Sequence, residues 1–263
     1  MPQTDVSPAT WTAAADPRRR IGHAVEFHPE IGSTNDRARE LLETDGAGIA
    51  VVTDLQTAGR GRRGRTWVSP AGVNLMCSVA LRPRLAARDA GWLGGAAALA
   101  VRDACAPWAD LRVRWPNDLV APDGLKVAGL LLETAIVGDA IGHAVIGVGI
   151  NANWARAEMP PEIRDTATSL AEVGGSPVER VELLGRLLAA LEDGLAALEA
   201  GRSPVERLRG ASWLDGRNLA VDTGDGTLLG TGAGIADDGS LLLDTADGRV
   251  ALSHAEVVRV VAA

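Results

Sequence analysis

Over the first 155 residues, short apolar runs end repeatedly in polar clusters. Residues 49–52 run into Thr53-Asp54-Leu55-Gln56, an alternating stretch follows at 74–81, and residues 143–150 stop at Asn151-Ala152-Asn153. Period-two alternation and short β-branched runs predict strands, with one more around residues 24–28. Residues 113–120 and 125–133 flank Pro122-Asp123-Gly124, and an Asp-Gly turn between apolar runs predicts a hairpin. Pro116 interrupts the first arm and leaves Asn117 and Asp118 at the break.

Helical spacing occupies the gaps. Ser33-Thr34-Asn35-Asp36 precedes Ala38, Leu41 and Leu42, with Gly46 beyond, so Ser33 is the expected N-cap and Asp36 complements the helix dipole. The Ala-rich stretch 90–108 predicts a buried helix. Ser176-Pro177-Val178-Glu179 has the form of a capping box with Pro at N1, opening a helix whose leucines recur to Leu198 before Gly201. From Trp213 onward, short alternating runs are separated by Asp225-Gly226, Asp238-Gly239 and Asp247-Gly248, the pattern of a small barrel. The chain therefore divides into a leader over residues 1–20, expected to be flexible for want of periodicity, a main α/β domain over 21–210 and a small β domain over 211–263.

Between the strands at 49–56 and 74–81 lies Gly59-Arg60-Gly61-Arg62-Arg63-Gly64-Arg65, followed by Thr66-Trp67. Its glycines satisfy the G-x-G-x-x-G spacing, but a dinucleotide turn must open a helix, and Thr66-Trp67-Val68-Ser69-Pro70 does not start one. An arginine-glycine patch for nucleic acid usually repeats, and this chain carries a net charge of -8. A small anion suits one mobile basic loop better, because guanidinium groups offer paired donors to carboxylate or phosphate. A solvated surface loop remains the plain alternative.

Composition narrows the class. Hydrophobic residues make up 46% and charged residues 23%, ordinary values for a soluble domain. No uninterrupted apolar stretch reaches a membrane span, and Cys77 and Cys105 lie apart in apolar segments, as expected of buried thiols in a cytoplasmic protein. The acidic balance disfavours DNA, and there is no room before Ser33 for a DNA-reading helical module. Lys126 is the single lysine in the chain, in an apolar strand where an ammonium needs an anionic partner, either Asp118 or a bound anion.

Taken together, Ser33-Thr34-Asn35, the Gln56–Trp67 segment, RWPND ending at Asp118, LKVAGLLLE from Leu125 and GVGIN ending at Asn151 resemble the biotin-protein ligases over roughly residues 30–155. The terminal barrel matches more weakly. Arg114 before WPND is a mild variant on the family's basic residue. The resemblance implies an α/β (α+β) fold: a class II synthetase-like mixed sheet with packed helices, then an SH3-like barrel. It implies activation of biotin by ATP with Mg²⁺ to biotinoyl-5'-AMP, then transfer to a lysine of the biotin carboxyl carrier domain of a carboxylase, in a monofunctional enzyme that forms a homodimer in some relatives. The edge available for such pairing is expected at residues 127–132 or at the strand around His143.

The same resemblance assigns residues. Ser33, Thr34, Asn35, Gln56, Gly59, Arg60, Arg62, Lys126 and Gly129 would hold biotin. Arg60, Arg62, Arg65, Trp67, Asn117, Lys126 and Asn151 would hold ATP. Lys126, Arg62 and Asp118 are the residues expected to carry the chemistry; we read Lys126 as a fixed charge rather than a general base, and leave Asp118 as either a proton acceptor for the carrier amine or an ion-pair partner. No protein metal ligand is assigned. A lipoate or octanoate ligase on the same fold, or a non-catalytic biotin-responsive regulator, are the rival readings; the first lacks its expected glycine run and Val-x-His-Asp segment here.

Overall fold

The computed structural model describes residues 7–253 and 255–260. The main unit runs α1 (Pro8–Thr12), β1 (Val25–Ile31), α2 (Thr34–Leu41), β2 (Ala50–Gln56), β3 (Leu75–Leu81), α3 (Ala90–Cys105), β4 (Arg112–Arg114), β5 (Asp118–Val120), β6 (Lys126–Val137) and β7 (Ala140–Ile150). Short helices α4 (Pro161–Arg164) and α5 (Leu170–Gly174) precede the long α6 (Arg180–Glu199) and α7 (Val205–Ala211). Seven strands form one mixed sheet in the order β1-β2-β3-β7-β6-β5-β4, in which β1 and β2 are parallel and the other pairs antiparallel.

Alternation along the strands separates two faces. Leu75, Cys77 and Val79 of β3 and Ile146, Val148 and Ile150 of β7 join the main core with leucines of α3 and α6. The opposite face carries α2, packed through Ala38 and Leu41 onto Val51, Ala80 and Val145. Beyond the end of α2 that second face is open, and there the cavity forms. No helix among the described residues is long and apolar enough to cross a membrane.

Several elements depart from expectation. The flexible leader does not hold from residue 8: Trp11 is fully buried, its ring centroid 5.7 Å from that of Phe27, with the Arg180 guanidinium 5.2 Å from the indole centroid. Residues 1–6 of that leader lie outside the described residues. Arg180 is itself buried and pairs with Asp54 at 2.6 Å, tying the N-terminal segment and α6 to the end of β2. The long helix starts at Arg180 rather than near Ser176, because Asn153 holds both the N–H and the C=O of Val178 and keeps that residue out of the helix. The strand around His143 is interior, flanked by β3 and β6. On β6, residues 126–129 lie alongside β5, whereas the outer edge of residues 131–137 has no strand partner among the described residues, and Ile136 and Val137 there are exposed.

The C-terminal unit comprises β8 (Asn218–Asp222), β9 (Thr227–Ile235), β10 (Leu241–Thr245), β11 (Gly248–Leu252) and β12 (Glu256–Val260). They make one antiparallel sheet in the order β11-β10-β9-β8-β12 around a small core of Leu214, Leu219, Val221, Ile235, Leu241 and Leu243. The Asp-Gly pairs at 225–226 and 238–239 fall between consecutive strands, and in the third Asp247 lies in the turn while Gly248 opens β11; Gly239 and Gly248 have φ of 87° and 119°.

Candidate active site

The open face of the large sheet and the edge of the small one enclose a cavity of about 430 Å³, within the usual range for a small-molecule site. Ser33, Thr34, Asn35, Gln56, Arg60, Arg62, Arg65, Trp67, Asn117, Asp118, Lys126, Gly129 and Asn151 all line it. Gly59 does not. It sits behind the wall, where an added Cβ would stand 2.6 Å from the Trp67 carbonyl.

One end of the cavity is neutral and polar. Ser33 caps α2 by position but makes no side-chain cap bond, which leaves its hydroxyl for a ligand. The Thr34 N–H donates to Gln56 Oε1 at 2.9 Å, so the remaining Gln56 amide hydrogens are free to face the cavity. Ser78 Oγ donates to Asn35 Oδ1 at 2.6 Å, and Asn35 Nδ2 donates to Glu133 at 2.6 Å. Thr34 Oγ1 lies 2.7 Å from Ser78 Oγ and 3.1 Å from Gln56 Oε1, and its single proton serves one of the two at a time. Gly147, opposite Ser78 in the sheet, is what admits Asn35: a Cβ there would be 2.0 Å from Asn35 Oδ1.

The glycine-arginine segment is a small hairpin, closed by Trp67 N–H to Gly59 O at 3.0 Å and Gly61 N–H to Arg65 O at 2.6 Å. Its tip turns at Arg63 and Gly64, with φ of 53° and 72°. Arg60 makes a two-pronged pair with Asp36 at 2.6 and 2.8 Å. Arg65 pairs with Glu256 at 2.5 Å and Arg63 with Asp222. Among the described residues Arg62 is the loop arginine with no carboxylate partner; its guanidinium lies 3.4 Å from Asn117 Oδ1. Burial, and then the charges of Arg63 and Arg65, push it below the usual guanidinium range against the opposing pull of Glu256 and Asp118. An anion entering the cavity would relieve that penalty.

Opposite the loop, Lys126 Nζ lies 2.7 Å from Asp118 Oδ1, and Arg114 donates to Asp118 Oδ2 at 2.8 Å. The ammonium also lies 5.5 Å from the centroid of the Trp67 ring. Space for both side chains comes from facing glycines. A Cβ at Gly129 would meet Lys126 Nζ at 2.8 Å, and one at Gly149 would meet the Trp67 indole at 2.5 Å. Asn117 and Asn151 have bonds within the protein, Asn117 to Leu130 O at 2.6 Å and Asn151 to Thr168 O at 3.0 Å.

Burial alone would raise the Asp118 carboxyl, but the Lys126 charge and then that of Arg114 outweigh it and hold the group below the ordinary aspartate range. The sign follows: a depressed folded-state pKa contributes stability above the unfolded value and loses it as pH falls through the folded one. Asp118→Asn is therefore expected to flatten the acid limb of a melting-temperature-against-pH curve. An acid limb as steep as the parent's would contradict this placement of the charge.

Sequence reasoning missed Ser78, Glu133, Asp222 and Glu256. Ser78 had a signal, a lone hydroxyl within a fully buried strand. The acidic residues had none, because their partners are remote in sequence.

Comparison with known proteins agrees with this geometry. Residues 28–151 match the model of the Biotin/lipoate A/B protein ligase family, and residues 216–260 that of the Biotin protein ligase C terminal domain. A biotin ligase for acetyl-CoA carboxylase from Paracoccus denitrificans is 37% identical over 238 residues, 86% of this chain and 96% of that protein. The Mycobacterium tuberculosis counterpart is 34% identical over 87% of this chain and 86% of its own length. The bifunctional ligase/repressor BirA of Bacillus subtilis is 33% identical over 90% of this chain and 74% of its own. Among solved structures, the biotin protein ligase of Aquifex aeolicus in complex with biotin and ATP superposes with a TM-score of 0.74 at 27% identity, covering 89% of this chain and 98% of that one. With relatives this similar over most of both chains, and with a cavity that assembles the residues on which the resemblance rests, the chain belongs to the biotin protein ligase family.

Proposed function

We propose that this protein is an ATP-dependent biotin-protein ligase whose two half-reactions share the cavity described above. The observation that carries the reading is the convergence there of a neutral polar network, an Arg62 without a carboxylate partner among the described residues, and a Lys126 fixed by Asp118. The Ser33 hydroxyl and the Gln56 amide hydrogens meet the ureido head of biotin. Its valeryl carboxylate extends over Gly129 toward Lys126. ATP enters on the side of Trp67, Asn117 and Asn151.

In the first step a biotin carboxylate oxygen attacks the α-phosphorus and pyrophosphate leaves, giving biotinoyl-5'-AMP. Two anions must approach, and Lys126 and Arg62 lower that repulsion while holding the groups in line. In the second step the carrier lysine amine attacks the acyl carbon, an amide forms, AMP departs and a proton is released. Asp118 is engaged on both oxygens by Lys126 and Arg114, which favours the ion-pair role over that of proton acceptor. Among the described residues no group of three or more His, Cys, Asp or Glu is placed to hold a metal, and the cavity carboxylates Asp118 and Glu256 are ion-paired. The chain's own donors do not fit a resident Mg²⁺, so we assign that ion to the nucleotide phosphates with which it enters. The unpaired edge of β6 at residues 131–137 is the place for a second copy or the carrier domain to add a strand.

Pyrophosphate exchange into ATP tests the reading, with biotin, lipoate and octanoate supplied separately. Exchange with biotin alone is expected. Exchange with lipoate instead would make this an acyl ligase of another specificity, and tight biotin binding without exchange would make it a regulator.

A further inference from the structure

Asp222 and Glu256 stand directly opposite each other on β8 and β12. Like charges in that relation destabilise a sheet, and cations lying against them offset the repulsion. Both cations come from the glycine-arginine loop of the other unit. Arg63 reaches Asp222, and lies 3.8 Å from Glu256; Arg65 lies 2.5 Å from Glu256. The left-handed turn at Arg63 makes this possible, because it swings the Arg63 side chain toward the small sheet while Arg62 faces Asn117 across the cavity. Glu256, with a side chain 15% exposed, also lines the cavity wall.

We propose that Asp222 and Glu256 form a seat that latches the glycine-arginine loop shut, so that the C-terminal unit retains the adenylate between the two half-reactions. Both acids are positioning residues: they act through Arg63 and Arg65, and they direct Arg62 to the substrate by occupying its neighbours. The Arg60–Asp36 pair anchors the other limb of the hairpin to α2. A latch of this kind opens readily, because partly exposed ion pairs are individually weak and screened by salt. It must open, since the carrier lysine has to reach the same acyl carbon. The proposal rests on the ligase reading for what is retained, but the seat itself can be probed without substrate.

The test compares the parent with Asp222→Asn, Glu256→Gln, Arg63→Asp and the charge-swapped pair Arg63→Asp with Asp222→Arg. Aspartate is chosen at residue 63 because it tolerates the left-handed backbone. Biotinoyl-AMP is formed on each protein, free ligand is removed, and retention of the adenylate is followed at low and high salt. Each single variant is expected to shorten retention roughly three- to fivefold, Glu256→Gln most, and the swapped pair to recover it. High salt should shorten retention in the parent, and by a smaller factor in Asp222→Asn, where the pairs of Glu256 with Arg65 and Arg63 remain to be screened. Glu256→Gln also removes the cross-strand repulsion, so its melting temperature should hold or rise; a residue that merely supported the sheet would lower it.

In parallel, tryptic cutting within residues 60–65 is timed on unliganded parent, Asp222→Asn and Glu256→Gln, with faster cutting expected in both variants. Parent-like retention and cutting in these two variants would overturn the latch, as would a swapped pair no better than Arg63→Asp while melting like the parent. A parent that forms no adenylate but whose loop is cut faster in both variants would refute the ligase reading and leave the seat standing.

Discussion

Lys126→Ala is expected to lower biotin-dependent pyrophosphate exchange by roughly 10²–10³-fold, the cost of removing one preorganised charge from a developing anion. The effect should fall on the rate more than on ATP binding, because Nζ lies over Gly129, on the path assigned to the biotin carboxylate. The substitution also leaves Asp118 buried with Arg114 as its one remaining partner, so some loss of stability accompanies it. The double variant Lys126→Ala with Asp118→Asn separates the two effects: stability should return and exchange should not. Lys126→Arg is expected to recover little, because a planar guanidinium is bulkier than an ammonium whose neighbour already has to be glycine. Undiminished exchange in Lys126→Ala would remove the lysine from the mechanism.

Gly147→Ala should raise the KM for biotin by about 10- to 100-fold, the range of a forced repacking together with broken buried hydrogen bonds. The new methyl would stand 2.0 Å from Asn35 Oδ1, and Asn35 cannot give way without losing Ser78 on one side or Glu133 on the other. Gly149→Ala, two residues along the same face, pushes instead on the Trp67 indole and should act on the KM for ATP. Steady-state kinetics with each substrate varied in turn will show whether the two ends divide in this way. Equal effects of both variants on both constants would mean that the cavity is not partitioned as assigned.

The sequence carried the local part of this architecture and most of the site. The Asp-Gly turns mark hairpins because glycine there takes positive φ, and the glycines of residues 143–150 correctly signalled a close approach, by Asn35 and Trp67. Tertiary partners were not legible. Trp11 sits in a segment with no periodicity and is buried because Phe27 and Arg180 come to it. Asn153, 25 residues away, delays α6. The loop arginines looked alike in the sequence. What distinguishes them is whether, and which, carboxylate each one meets, and for Arg63 that partner lies 159 residues downstream.

The rarity of lysine has a consequence for a protein that makes an acylating agent. A mixed anhydride escaping into solution modifies whatever amines are nearby, and the first surface it meets is that of the enzyme that made it. Here the surface is studded with guanidinium groups, too weakly nucleophilic to compete. The one side-chain amine is turned inward and engaged by Asp118. The chain is thereby shielded from its own reagent by what it is made of, and a biotin found on one of its side chains would point to Lys126.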